Sequence, residues 1–185
     1  MTVPPTGTPV LSNELPMRER LLEVLAPRAG ERILEVGCGT GYYALRVARD
    51  LLPDGSLEIL DAQPQVLDEA MRGAREQRLV NVAATLGDAR YLPYDTDAFD
   101  AAYLVAALGD AQDQDTAMRE LARVVRPRGR IVVGELHGDP HRVGFAALRA
   151  SSARAGLAVA RSVDEGFGSF AVLERERRVL RTAPG

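Results

Sequence analysis

Three glycines and two aspartates carry the chemistry this chain can do. Gly37, Gly39 and Gly41 stand at alternate positions behind the strand-forming residues Ile33, Leu34 and Val36. Past them, Ala44, Val47, Ala48 and Leu51 recur at helical spacing. Strand, glycine turn and helix open a nucleotide-binding α/β unit. Glycine admits positive φ there, and it lets backbone N–H groups approach a ligand that a Cβ would push away. The spacing is Gly-x-Gly-x-Gly, without the final glycine of the dinucleotide fingerprint Gly-x-Gly-x-x-Gly. A structural turn with no ligand is the alternative for the glycines alone. Asp61 follows Gly41 by 20 residues, where a carboxylate can accept from both hydroxyls of a ribose. Asp88 ends a third strand, placed to accept from the exocyclic amine of a base. Either acid alone could cap a helix; both in register with the turn point to a nucleoside. The acidic lining, with no Arg or Lys beside the glycines, disfavours phosphate and suits a nucleoside carrying positive charge.

Strands and helices must hold these groups in place. Residues 57–60 read as a second strand, 65–79 as its helix and 82–86 as a third strand. Residues 99–105 form an apolar fourth strand with almost no alternation, as a strand covered on both faces should. A helix over 113–125 then turns at Pro127 and Gly129 into a strand over 130–135. This alternation predicts an α/β fold with a doubly wound, mostly parallel sheet. A helix over 141–155 precedes two closing strands, 157–163 and 169–174, which bring the sheet to seven strands. Their connection, DEGFG, is too short for a parallel crossover, so they should pair as a terminal antiparallel hairpin. Residues 1–13, rich in Pro, Thr and Gly, read as a flexible arm, and 14–185 as one domain. The domain opens on a helix with Met17, Leu21, Val24 and Leu25 on one face, stopped by Pro27 and Gly30.

The remaining composition narrows the classes. A net charge of −3 argues against a general nucleic-acid binder. Lysine is absent, and the arginine cluster Arg119, Arg123, Arg126, Arg128 and Arg130 reads as a solvated helix end and turn. No apolar run approaches the roughly 20 residues of a membrane span. No signal peptide is apparent, and the single cysteine permits no intrachain disulfide, so a cytoplasmic setting is expected. Cys38, inside the turn, reads as a small residue more than as a nucleophile. No metal site is expected.

The series EVGCGTG (35–41), LD (60–61), GDARYLPY (87–94), FDAAYLV (99–105) and ELARVVRPRGR (120–130) resembles the class I S-adenosylmethionine-dependent methyltransferases. It looks closest to the branch of the ubiquinone/menaquinone-biosynthesis C-methyltransferases. The likeness covers about residues 31 to 175, and that fold also ends with a reversed strand inserted between the last two parallel ones. The resemblance implies that S-adenosylmethionine is the cofactor. It implies that Gly37, Cys38, Gly39 and Gly41 form the turn under its methionine part, with Glu35 ordering that turn. Asp61 would hold the ribose, Ala62 would touch the adenine face, and Asp88 with Ala89 would read the adenine edge. Leu104 and Val105 would lie near the sulfonium.

Two features depart from the family. Only about thirty residues precede the first strand, and residues 138–145 leave little room for an inserted lid. The acceptor pocket is then open, completed by a second subunit in a homodimer, or lost. Tyr42 and Tyr43 are candidates to line it, with core packing as the alternative. Glu135, His137 and His141 are the only obvious candidates for a catalytic base, and each reads more readily as structural or solvated. Three readings follow: methyl transfer to a small-molecule or lipid-like acceptor, a catalytically silent binder of the same cofactor, and a nicotinamide-dependent reductase.

Overall fold

A computed structural model describes residues 14–175 of the chain; the expected arm, residues 1–13, lies outside the described residues. Helix α1 (Glu14–Leu25) buries Met17, Leu21, Val24 and Leu25, which the 3.6-residue period brings to one face. It stops where Ala26 takes a positive φ of 45° just ahead of Pro27. The chain then alternates: β1 (Arg32–Val36), α2 (Ala44–Asp50), β2 (Ser56–Asp61), α3 (Pro64–Glu76) and β3 (Val82–Leu86). Pro64 opens α3, where a missing N–H is harmless. β4 (Phe99–Val105) leads through a 3₁₀ turn (Leu108–Asp110) to α4 (Gln114–Val124). Asp113 caps α4 by accepting from the Thr116 amide. β5 (Val125–Leu136), α5 (Phe145–Arg154), β6 (Leu157–Glu165) and β7 (Gly168–Arg175) complete the order.

The seven strands lie in the order β3-β2-β1-β4-β5-β7-β6. β1 to β5 are mutually parallel, and β7 is antiparallel to both its neighbours, β5 and β6. The predicted reversed strand is therefore present between β5 and β6. Apolar residues cover both faces. Ile33, Ile59, Tyr103 and Val132 pack with α1, α2 and α3. Leu34, Leu60, Leu104 and Val133 pack with residues of α4 and α5 on the other face. From β1 the chain first moves outward to β2 and β3, then crosses back to β4. That reversal opens a crevice at the carboxyl ends of β1 and β4.

Two expected boundaries move. α5 begins at Phe145 and not at 141, because Asp139 holds the preceding residues in a turn. Its carboxylate accepts from the His141 amide and its carbonyl from that of Arg142. β5 begins at Val125, because Val125 already pairs with Phe99 and residues 126–129 bulge out before the ladder resumes at Arg130. Pro127 and Gly129, read as a turn, sit inside that bulge.

Candidate functional site

The glycine turn leaves β1 with three positive φ angles, 75° at Gly37, 50° at Gly39 and 86° at Gly41. The Gly37 amide donates to the Leu60 carbonyl at 2.8 Å, continuing the strand pairing into the turn. A Cβ on Gly37 would lie 2.5 Å from that of Ala107, and one on Gly41 would lie 2.9 Å from that of Ala70. The first glycine thus admits the segment after β4, and the third admits α3. Gly39 has open space around it and needs glycine for its backbone conformation alone.

Asp61, at the end of β2, reaches across to this turn. One carboxylate oxygen accepts from the Gly39 amide at 3.1 Å, and the other from the Gln63 amide at 3.0 Å. Two backbone donors thus fix its orientation and leave a lone pair on each oxygen. Asp88, one strand further out, is held differently. The Arg90 guanidinium grips both of its oxygens, with Nη2 2.6 Å from Oδ2, and the Arg90 amide donates to Oδ1 at 2.8 Å. That grip keeps the Asp88 carboxyl below the usual carboxylate range. Arg90 also donates to Gln112 at 2.9 Å, so it bridges the β3–β4 loop to the segment before α4.

These groups enclose a cleft of about 530 Å³. Of the residues expected at a cofactor site, Gly37, Cys38, Gly39, Asp61, Ala62, Asp88, Ala89 and Val105 line it. Glu35, Gly41 and Leu104 do not. Gly41 meets α3 behind the turn, and Leu104 points to the opposite face of the sheet, in the cluster that holds residues of α4. Glu35 is buried beneath the turn, 1% exposed. Burial pushes its carboxyl up to about 8; the neighbouring Tyr103 hydroxyl pulls down, and the charge of Asp61 adds to the rise. Burial, with Glu35 and Asp61 nearby, also drives the Cys38 thiol far above its ordinary range, which disfavours the thiolate.

One stretch of the cleft lining, the segment after β4 that packs on Gly37, is missed by sequence reasoning. Ala106, Ala107, Asp110, Ala111 and Gln112 form it, with Arg90 at its edge. Ala106 sits at φ 51°, a conformation its residue type gives no hint of. Arg90 had a usable signal, a basic residue two positions past an acid at a strand end. Tyr42 and Tyr43 also line the cleft, edge to face at 5.1 Å, and the Tyr42 hydroxyl is buried without a hydrogen-bond partner.

None of the three candidate bases lines the cleft. Glu135 is buried on the α5 side of β5, and His137 lies with Nε2 3.1 Å from Asp164 on β6. His141 Nδ1 is 2.6 Å from Asp110, so it touches the cleft wall only through that residue. The arginine cluster is not simply solvated either. Arg123 donates to the carbonyls of Leu92 and Tyr94, Arg126 pairs with Asp100, and Arg130 pairs with Glu31. Among the described residues no helix is long and apolar enough to cross a membrane.

A glycine turn, an adjoining fixed carboxylate and a second acid at the next strand end meet in one cleft at a switch point. A family model described as a methyltransferase domain matches residues 33–129. The chain belongs to the class I S-adenosylmethionine-dependent methyltransferases. As a methyltransferase-family chain it is similar to 27-O-demethylrifamycin SV methyltransferase of Amycolatopsis mediterranei, at 32% identity over 90% of this chain and 58% of that protein. It is also similar to a demethylmenaquinone methyltransferase of Lactobacillus johnsonii, at 31% identity over 64% of this chain and 49% of that protein. This second likeness lies in the ubiquinone/menaquinone branch. Among solved structures, the [4+2]-cyclase SpnF superposes with a TM-score of 0.73 at 32% identity, over 80% of this chain and 60% of that one. The chain spans about half the length of the curated relatives it matches.

Proposed function

We propose that this chain transfers a methyl group from S-adenosylmethionine to a small-molecule or lipid-like acceptor by in-line displacement, driven mainly by positioning. The observation that carries this reading is the Gly39–Asp61 hydrogen bond. It locks a ribose-directed carboxylate to the turn that must pass under the methionine part. In this reading Gly37, Cys38 and Gly39 run beneath that part, while Glu35 and Gly41 hold the turn from behind. Asp61 accepts from the ribose hydroxyls, Ala62 meets the adenine face, and Asp88 with Ala89 meets the adenine edge. Val105 lies near the sulfonium, with Leu104 packed behind it. The cofactor, when bound, supplies an activated methyl and leaves as a neutral thioether, so little acid–base machinery is required of the chain. Holding an acceptor in line could contribute ~7–11 kcal/mol through orientation alone. Tyr42 and Tyr43 would help exclude water from the reacting groups.

The reading includes a cytoplasmic protein that does not act on nucleic acid, and a homodimer whose second subunit covers the cleft mouth. The apolar stripe of α1 cannot serve that contact, because Met17, Leu21 and Leu25 are fully buried in their own subunit. Light scattering tests the oligomer.

Calorimetric titration with S-adenosylhomocysteine and with NAD tests the cofactor, and turnover with a panel of metabolites tests the transfer. Binding of S-adenosylhomocysteine and not of NAD is expected; the reverse would overturn the reading. A second reading, a cofactor-bound protein that transfers no methyl, is supported by the likeness to a [4+2]-cyclase. Substrate consumption without release of S-adenosylhomocysteine would favour it.

A further inference from the structure

Across the 138–144 loop from the cleft, α5 stands off the sheet and leaves a second hollow of about 200 Å³. It shares no lining residue with the cleft. Val133, Val143, Leu148, Phe170 and Ala171, all buried, make its walls apolar. Arg142, Ser162, Asp164 and Ser169 add polar groups at less buried positions, and the one polar residue buried in the lining is Glu135, 3% exposed. One of its oxygens accepts from the Val143 amide at 3.3 Å; the other, Oε1, is buried with no hydrogen-bond partner. A buried polar atom left open is costly and rare enough to require a reason.

The hollow is several times the roughly 30 Å³ of one water, and most of its lining offers water no partner. It is smaller than the roughly 300–1,000 Å³ of sites for drug-sized ligands, so its occupant is a small molecule with an apolar body. In its ionised form the carboxylate can only accept, so the polar end of a molecule bound to that form must be a donor. Charge selects the donor's sign. Asp164 stands at the rim, and Asp139 and Asp110 act on Glu135 with like charge, against one cation, Arg142. Burial, helped by those acids, raises the Glu135 carboxyl to about 7, and a bound cation would draw it back to the ionised form.

We propose that this hollow is a second small-molecule site, taking a small alkyl- or arylalkylamine whose ammonium group donates to Glu135 Oε1. The proposal is independent of methyl transfer, because it concerns different residues. Titration of the full chain with 2-phenylethylamine and n-butylamine, followed by ligand-observed NMR, tests it. Saturable binding of at least one amine is expected, unchanged by saturating S-adenosylhomocysteine. Glu135→Gln keeps an acceptor for the Val143 amide and should weaken the amine about 10- to 100-fold. Ser162→Trp, at an exposed position on the rim, should block entry without disturbing the core. Equal binding of 2-phenylethanol would overturn the assignment of a cation. Absence of saturable binding by both amines, or amine binding unaltered in Ser162→Trp, would overturn the site itself.

Discussion

The two acids of the cleft have the same side chain and opposite circumstances. Asp61 is oriented by backbone amides of Gly39 and Gln63, which cannot leave, and a lone pair on each of its oxygens stays open. Asp88 is held by a side-chain partner, the Arg90 guanidinium, which covers both oxygens. The first keeps lone pairs open; in the proposed reading the second must share its carboxylate or release its partner before it can accept from an amine. Preorganisation by main chain and occupation by side chain look alike in a list of hydrogen bonds. They predict different responses to mutation.

The largest effect should come from Asp61→Ala. Two charge-assisted bonds to ribose, at ~1.5–3 kcal/mol each, would be lost together with the Gly39 contact. S-adenosylhomocysteine affinity measured by calorimetry should fall at least 100-fold, and an unchanged affinity would break the comparison. Next comes Glu35, beneath Asp61 and raised partly by its charge. The unfolded chain ionises this carboxyl near 4.5, whereas the folded protein keeps its proton up to about 8. The native state therefore binds more protons in that window, and stability falls as pH rises from about 4.5 to 8. Glu35→Gln should remove this slope, gaining on the order of 2–4 kcal/mol relative to the parent at pH 9 and little at pH 4.5. Denaturant melts at both pH values check it.

Asp88→Ala should cost less than Asp61→Ala, about 1 kcal/mol of cofactor affinity, because the carboxylate it removes is already engaged. The smallest effect has the opposite sign. Arg90→Ala frees Asp88 and should tighten S-adenosylhomocysteine by a few fold. A loss of affinity would mean that the guanidinium itself contacts the ligand.

The sequence made the Asp61 end legible and left the Asp88 end half read. β3 and β4 fall on the expected residues because their apolar runs are short and bounded by turn formers. The antiparallel pairing of β6 with β7 followed from the length of their connection, and the place of reversed β7 beside β5 from the family resemblance. By contrast, the cleft lining after β4 depends on Ala106 in a left-handed conformation and on Gln112 meeting Arg90. No local propensity encodes either. The start of α5 at Phe145 rests on the turn at Asp139 and on a related tertiary effect. Glu135, in the strand before it, captures the Val143 amide, a tertiary contact that periodicity cannot see. Leu104 shows the limit of adjacency: it neighbours Val105 in sequence, yet strand alternation sends it to the other face.

Arg130 sets a boundary of a different kind. Its guanidinium donates to the carbonyl of Leu25 at the end of α1, to that of Ala26 just past it, and to both oxygens of Glu31. Burial works against the Glu31 charge, yet Arg130 and the Arg28 amide hold that carboxyl below its usual range. A helix at one end of the described chain is thereby fastened to a central strand about a hundred residues later. Such a joint makes α1 open together with β5 and not ahead of it, so the two belong to one cooperative unit. Amides of α1 should then exchange with deuterium as slowly as those of the sheet's centre. A chain nicked between Ala26 and Gly30 should keep its two fragments together.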